Sequence, residues 1–149
     1  NENKIKPSVT EFINKEKELG LDKIETFEKF AENVYAHKSE ILNLLHKLKS
    51  EGKKIVAYGM SGRGNTLLNF WNVGTDIIDY GIDASPERYD RYVPGMHIPI
   101  KPPHHSLENV DYALLLAWIF KDDIMKKESM FTNSGGKFII PMPNPHFEP

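Results

Sequence analysis

The sequence contains no cysteine among its 149 residues. That absence excludes disulfide bonds, thiolate zinc sites and cysteine nucleophiles from this chain. An excess of positive charge is also lacking, because 19 lysine and arginine residues face 21 acids and the formal net charge is −2. A chain without a basic excess is not expected to bind nucleic acid or an anionic membrane surface.

Long hydrophobic runs are absent as well. The longest one, Tyr112 to Phe120, is too short to cross a bilayer. The first residues, NENKIKPS, lack the apolar core of a secretory signal. With 40% hydrophobic and 27% charged residues, the composition is typical of one soluble globular domain. We therefore expect a cytoplasmic protein with no membrane partner and no nucleic-acid partner.

Arginine is scarce, and its few positions are clustered. Arg63, Arg88 and Arg91 are the only arginines among the 19 basic residues. All three lie between a glycine-rich turn and the end of the second predicted strand. A guanidinium group offers a rigid pair of donors that suits phosphate better than the lysine ammonium does. Phosphate binding by at least one of them and a chance clustering in a lysine-rich chain both remain open.

Two helices are predicted ahead of the first strand. Ser8 and Asp22 each stand three residues before a glutamate, which is the capping-box signature of a helix start. The second helix carries apolar residues at three- and four-residue steps and is expected to end at Gly52. We interpret residues 1–52 as a helical segment that packs on the sheet, with Phe27 and Phe30 in the core. The apolar stripe consists of Phe27, Phe30, Ala31, Val34, Ile41, Leu45 and Leu48.

Short apolar runs and helical patterns alternate in the rest of the chain. The runs show little polar alternation, which is typical of strands that are covered on both faces of a parallel sheet. The alternation predicts an α/β fold, namely a Rossmann-like, doubly wound, mostly parallel sheet preceded by the two N-terminal helices. The proline-rich residues 84–106 are expected to form an ordered loop with a short strand around Ile98 and Ile100. The four runs are residues 54–58, 77–82, 112–118 and 137–141.

A glycine-rich turn, GMSGRGNT, follows the first predicted strand. Its glycines permit a tight turn and a close approach of backbone N–H groups to an anion. Ser61 and Arg63 can donate hydrogen bonds to phosphate oxygens. Asn65 or Thr66 is expected to cap the following helix, predicted from Asn65 to about Trp71. The spacing G-x-x-G-x-G differs from the dinucleotide fingerprint G-x-G-x-x-G, and a role in packing alone stays open.

Two further residues carry weaker signals for ligand binding. Asp83 stands 19 residues after Gly64, where a ribose-binding acid is expected, although it can equally cap the turn ASPE. His97 can hydrogen-bond a hydroxyl or phosphate, or simply stabilise its loop. His104 and His105 are adjacent, which is poor metal-site geometry. No nucleophile, base and orienting group assemble by spacing, so we predict no catalytic residue and no metal site.

Five stretches, in order over nearly the whole chain, carry a family resemblance. They are PSVTEFINKEKELGLDKIETFEKFAENV, VAYGMSGRGNTLLN, IIDYGIDASPERYDRYVPGMHIPI, LLLAWIFKDDIM and GGKFIIPMP. They resemble the C-terminal domain of the S-adenosylmethionine-dependent sugar C-methyltransferases, which methylate nucleotide-linked keto-deoxysugars. In that family a cysteine-rich zinc domain comes first, an S-adenosylmethionine-binding domain second and a Rossmann-like domain that anchors the nucleotide sugar third.

The resemblance implies that this chain is the third domain of a longer methyltransferase. Its partners would then be a nucleotide-linked sugar and the N-terminal methyltransferase domains of the same protein. S-adenosylmethionine and zinc would be held in those N-terminal domains, with no cofactor in this chain. The chain alone would be inactive, and residues 53–149 would form a Rossmann-like nucleotide-sugar-binding domain.

Two other functions remain open beside this one. One is a free-standing nucleotide or coenzyme A binding module without catalysis, and the other is a docking domain with a vestigial pocket. The turn and the DASP segment are the expected sugar-nucleotide contacts, joined by residues at the carboxyl edge of the sheet. The predicted substrate-binding residues are Gly59, Ser61, Gly62, Arg63, Gly64, Asn65, Thr66, Asp83, Ser85, Arg91, His97 and Trp118.

Overall fold

The computed structural model describes residues 5–103 and 106–149. It divides into two compact units between His37 and Lys38. The helices of the described residues are α1 (Pro7–Glu18), α2 (Ile24–Ser50), α3 (Gly62–Trp71), α4 (Lys121–Lys127) and α5 (Ser129–Asn133). The strands are β1 (Ile55–Tyr58), β2 (Gly81–Ile82), β3 (Ile100–Lys101), β4 (Tyr112–Leu115), β5 (Lys137–Ile140) and β6 (His146–Glu148).

The six strands form one sheet with the order β3-β2-β1-β4-β5-β6. The pairings from β3 to β5 are parallel, and β6 pairs antiparallel with β5 at the edge. The strand order reverses direction between β1 and β4, which is the switch point where ligands bind in open α/β sheets. The predicted Rossmann-like, mostly parallel sheet is confirmed. In the described residues no helix is long and apolar enough to cross a membrane.

Apolar side chains cover both faces of the sheet, which explains why the strands show no polar alternation. Successive residues of a strand point to opposite faces. Ile55 and Ala57 of β1 therefore join one buried cluster, and Val56 and Tyr58 join the other. Side chains of α3 and of the C-terminal part of α2 complete the first cluster, whereas Phe131 of α5 belongs to the second.

The boundaries of several elements differ from the predicted ones. Strand β2 contains only the last two residues of the predicted run 77–82, because Ile77 and Ile78 are buried in a turn that hydrogen-bonds to Gly74. The short strand expected around Ile98 and Ile100 is present as β3.

The helix starts also differ from the predicted ones. The capping role predicted for Ser8 is wrong, since α1 begins at Pro7 with Lys6 at the N-cap and no side-chain cap. A proline at the first helical position fits the helix start through its fixed φ. Helix α2 begins at Ile24, one residue later than a cap at Asp22 requires.

The apolar stripe of α2 is covered over only part of its length. Ile41 and Leu45 are fully buried, and Leu48 is 4% exposed. Phe27 and Phe30 are 50% and 66% exposed, so their predicted place in the core is wrong. Periodicity identifies the apolar face of a helix but does not say what covers it.

Candidate functional site

The turn after β1 places the start of α3, which no side chain caps, at the carboxyl edge of the sheet. Helix α3 begins at Gly62, three residues earlier than predicted, with Ser61 at the N-cap and no side-chain cap hydrogen bond. Asn65 and Thr66 do not cap it, because they lie within the helix and the Thr66 hydroxyl donates to the Gly62 carbonyl at 3.0 Å. The first helical hydrogen bond runs from the Asn65 amide to the Ser61 carbonyl at 2.9 Å. The N–H groups of residues 62–64 therefore have no acceptor within the helix.

The inner side of this turn packs against the residues that follow β4. A Cβ on Gly59, which has a φ of +89°, would lie 2.5 Å from the Cβ of Ala117. A Cβ on Gly64 would lie 2.9 Å from the Cβ of Leu116. Contacts this short do not occur between real side chains, so both glycines are required by packing.

The outer side of the turn is open. A Cβ on Gly62 would meet nothing within 4 Å. Beside it lies a cavity of about 340 Å³ between the start of α3 and the loop after β2. The lining residues are Met60, Ser61, Gly62, Asn65, Glu87, Arg88, Arg91, Tyr92, Val93, Pro94 and Ile100.

Asp83 organises the loop that forms the far wall of this cavity. It is 5% exposed, and its two carboxylate oxygens accept hydrogen bonds from the Ser85 amide at 2.9 Å and the Arg88 guanidinium at 2.8 Å. Two roles were predicted for Asp83, ribose binding and capping of the turn ASPE. The geometry is that of the capping role, because the carboxylate is buried and both of its oxygens already accept hydrogen bonds. The role of Asp83 visible here is to hold Arg88 at the cavity.

Charges of both signs line the cavity. The Glu87 backbone amide and the Ser85 hydroxyl, which donates at 3.0 Å, keep the pKa of the Glu87 carboxyl below its usual value. Glu87 is therefore ionised at neutral pH. Arg88 is paired with Asp83, whereas Arg91 is exposed and has no ion pair within the described part of the chain. Arg91 is thus the more available cation for an anionic ligand.

Two of the predicted site residues pair with each other outside the cavity lining. The guanidinium carbon of Arg63 lies 5.8 Å from the centre of the Trp118 ring, within the range of a cation–π contact. Trp118 is partly buried against the second core cluster, whereas Arg63 is exposed.

The structure brings together four of the twelve predicted residues at the cavity: Ser61, Gly62, Asn65 and Arg91. His97 is not among the lining residues; it has a φ of +54°, and its amide closes a turn onto the Val93 carbonyl at 2.9 Å. Arg88 also lines the cavity; it belongs to the arginine cluster of the sequence but not to the twelve predicted binding residues. Glu87 and Tyr92 were missed, although the sequence ERYDRY interleaves aromatic and charged residues in a manner that suits a binding loop.

A second, larger cavity of about 660 Å³ lies elsewhere, and none of the predicted site residues lines it. Its wall includes Leu107, Phe131 and Glu128, whose carboxylate accepts a hydrogen bond from the Tyr58 hydroxyl at 2.7 Å. Burial and the Glu128 contact raise the pKa of Tyr58. Within residues 5–103 and 106–149 no group of three or more His, Asp or Glu residues is placed to hold a metal ion. His104 and His105 lie outside the described residues.

Comparison with known proteins identifies the family of the chain. The profile of a family described as the C-methyltransferase C-terminal domain matches residues 1–143. The chain is 30% identical over 145 residues to C-methyltransferase NovU of Streptomyces niveus. The aligned segment covers 97% of this chain and 34% of NovU. The chain thus spans about a third of the length of this curated relative. Because the family match extends over nearly all of the sequence, the chain belongs to the C-terminal domain family of the C-methyltransferases.

Proposed function

We propose that this chain anchors the nucleotide-linked sugar substrate of a C-methyltransferase and that it holds the diphosphate at the start of α3. The observation that carries the proposal is an uncapped helix start opening onto a cavity that Arg88 and Arg91 also line. Membership in the C-terminal domain family of the C-methyltransferases supports methyl transfer to carbon as the reaction in which this substrate takes part.

A diphosphate suits this position for three physical reasons. The free N–H groups of residues 62–64 and the helix dipole both attract an anion. The open space at Gly62 lets a phosphate oxygen approach the backbone without a side chain in the way. Arg91 adds a cation with no ion pair within the described residues, and Asp83 fixes the position of Arg88.

The rest of the cavity suits the nucleoside or the sugar. Its volume of about 340 Å³ falls at the low end of typical ligand pockets. Tyr92, 64% exposed, together with Val93 and Pro94 presents an apolar surface on which a flat ring can lie. The ionised Glu87 carboxylate can accept hydrogen bonds from a sugar hydroxyl or a ring N–H, but it repels a phosphate placed close to it. We therefore assign the phosphates to the α3 side of the cavity.

We place the methyl donor outside this chain. In a C-methyltransferase of this type S-adenosylmethionine supplies the methyl group. The residues at the end of β2 do not fit its ribose, because the Asp83 carboxylate is buried and engaged by Ser85 and Arg88. The described residues likewise do not offer a ligand set for zinc. We expect the chain alone to bind substrate without transferring a methyl group.

Titration calorimetry tests the proposal. The chain is titrated with inorganic pyrophosphate, nucleoside diphosphates, nucleoside diphosphate sugars, S-adenosylmethionine and coenzyme A. We expect the chain to bind nucleoside diphosphates and nucleoside diphosphate sugars. Arg91→Ala should bind them more weakly, whereas the surface control Lys47→Ala should bind them with unchanged affinity. Absence of nucleotide binding at millimolar concentration, or equal affinity in both variants, contradicts the proposal. Preferential binding of coenzyme A would favour the free-standing binding module.

A further inference from the structure

The first unit of the chain carries an uncovered apolar surface. Helix α1 contains no buried residue, and its apolar side chains Val9, Phe12 and Ile13 are all exposed. In the first turns of α2, Phe27 and Phe30 are at least half exposed. We call these five residues the N-terminal apolar surface.

These helices lack the burial that normally stabilises a helix. An isolated helix of about 12 residues is marginal in water, because most helical stability in proteins comes from packing an apolar face. Helix α1 has 12 residues, and none of them is buried. On α2 the same apolar stripe continues into Ile41 and Leu45, which are fully buried. The exposed part of the stripe therefore has the same apolar character as the buried part, and large exposed apolar patches mark interaction sites.

We propose that the N-terminal apolar surface docks onto the methyl-transferring part that precedes this domain in a longer C-methyltransferase. The matching family is a C-terminal domain, and the relative NovU is about three times as long as the segment it shares with this chain. In a protein built in this way, the preceding part joins the domain directly ahead of α1. The proposal rests on the family membership and not on the nucleotide-sugar assignment.

The charges around the surface argue against a membrane as the occupant. Residues 5–37 contain five lysines and seven acids. Amphipathic helices that lie on anionic membranes carry an excess of lysine and arginine on their polar face. A folded protein partner with a mixed rim of charges fits this composition, since interface rims are polar and their centres apolar.

Hydrogen exchange measured by mass spectrometry tests the docking. The complete natural protein and the 149-residue chain are compared in the same buffer. We expect the amides of α1 and of the first turns of α2 to exchange at least tenfold more slowly in the complete protein. The amides of β1 and β4 should be equally protected in both samples, which verifies that the sheet is folded in each.

Matched variants of the complete protein identify the surface. Phe12→Asp combined with Phe30→Asp should raise the exchange of α1 to the rate seen in the chain alone. Asn14→Asp combined with Ala36→Asp introduces the same charges at exposed positions on the opposite sides of the same helices, and should change nothing. If the aspartate variant unfolds, Phe12→Ala with Phe30→Ala provides the same comparison with a smaller perturbation.

Four outcomes would overturn the proposal. They are equal exchange of α1 in the complete protein and the chain, equal effects of the two variant pairs, and a natural protein with no preceding part. The fourth is protection of the chain that rises with its concentration together with a dimer mass in sedimentation, because a second copy would then be the occupant.

Discussion

The two sides of the turn between β1 and α3 use glycine for different reasons. On the inner side, Gly59 and Gly64 have no room for a side chain because Leu116 and Ala117 lie against them. On the outer side, Gly62 faces open space at the cavity. A glycine pattern read from sequence therefore mixes positions needed for packing with a position free to serve a ligand. The substitutions below separate the two sides, from the largest expected effect to the smallest.

The largest effect is expected on the inner side, for Gly59→Ala. The side chain would be strained at a φ of +89° and would clash with Ala117. Strain and overpacking each cost about 1–3 kcal/mol, so the free energy of unfolding should fall by about 2–6 kcal/mol. Urea denaturation measures it. Gly135→Ala is the control, because Gly135 has a φ of +96° but nothing within 4 Å. An equal loss in both variants would show that the contact with Ala117 costs nothing.

On the outer side, Arg91→Ala should weaken the binding of a nucleoside diphosphate by about ten- to a hundredfold. A charge-assisted hydrogen bond contributes about 1.5–3 kcal/mol, and each tenfold change in affinity corresponds to ~1.4 kcal/mol. Arg91→Lys should recover only part of the affinity because it loses the paired donors. The free energy of unfolding should not change, since Arg91 is exposed. A lower melting temperature with unchanged nucleotide affinity would show that Arg91 stabilises the fold and does not bind the ligand.

Arg63→Ala serves as a comparison for Arg91. The Arg63 guanidinium lies over Trp118, and Arg63 does not line the cavity. We therefore expect its loss to reduce nucleotide affinity by less than the loss of Arg91 does. Titration of the two variants against the same nucleoside diphosphate decides, and a greater loss for Arg63→Ala would move the phosphates toward Trp118.

Gly64→Ala should cost about 1–2 kcal/mol of unfolding free energy. Its Cβ would press on Leu116 and on the Gly59 carbonyl, at 2.9 and 3.0 Å, and overpacking of this kind costs about 1–3 kcal/mol. Alanine has the better helix propensity, which offsets part of the loss. Denaturation and titration of the same sample separate stability from affinity. A fully stable variant would contradict the packing role.

The smallest effect is expected for Gly62→Ala. Its methyl group meets nothing within 4 Å, so the free energy of unfolding should change by less than about 0.5 kcal/mol. If a phosphate oxygen lies against this backbone, the methyl group should lower nucleotide affinity by less than tenfold, about 1.4 kcal/mol or less. Unchanged affinity would place the phosphate away from residue 62.

Most of the sheet was predictable from sequence, but its antiparallel edge strand β6 was not. The apolar runs of β1, β4 and β5 stand out because both faces of these strands are buried. Strand β6 carries no such signal, because residues 141–149 contain four prolines and an edge strand needs only one covered face. The exposure of Phe27 and Phe30 could not be predicted either, because periodicity identifies the apolar face of a helix but not the element that covers it.

The candidate site was only partly predictable for a related reason. The glycine turn was predictable from local sequence, whereas the start of α3 at Gly62 without a side-chain cap was not, because Asn65 and Thr66 were expected to cap it. The wall of the cavity is formed by the loop after β2, whose course depends on the contact of Asp83 with Arg88. A side-chain pair of this kind leaves no periodic signal in the sequence. Hence Glu87 and Tyr92 became visible only in the folded chain.

The burial of Tyr58 and its contact with Glu128 make the stability of the domain depend on pH in the alkaline range. The ultraviolet absorbance of the Tyr58 phenolate reports this dependence. The buried Tyr58 phenol has a raised pKa, whereas in the unfolded chain it ionises near its ordinary value of 10. Above pH 10 the folded state keeps a proton that the unfolded state releases, so this contribution to stability is complete below pH 10 and declines as the pH rises. In ultraviolet titration at 295 nm, the phenolate of Tyr58 should therefore appear together with unfolding of the domain, above pH 10.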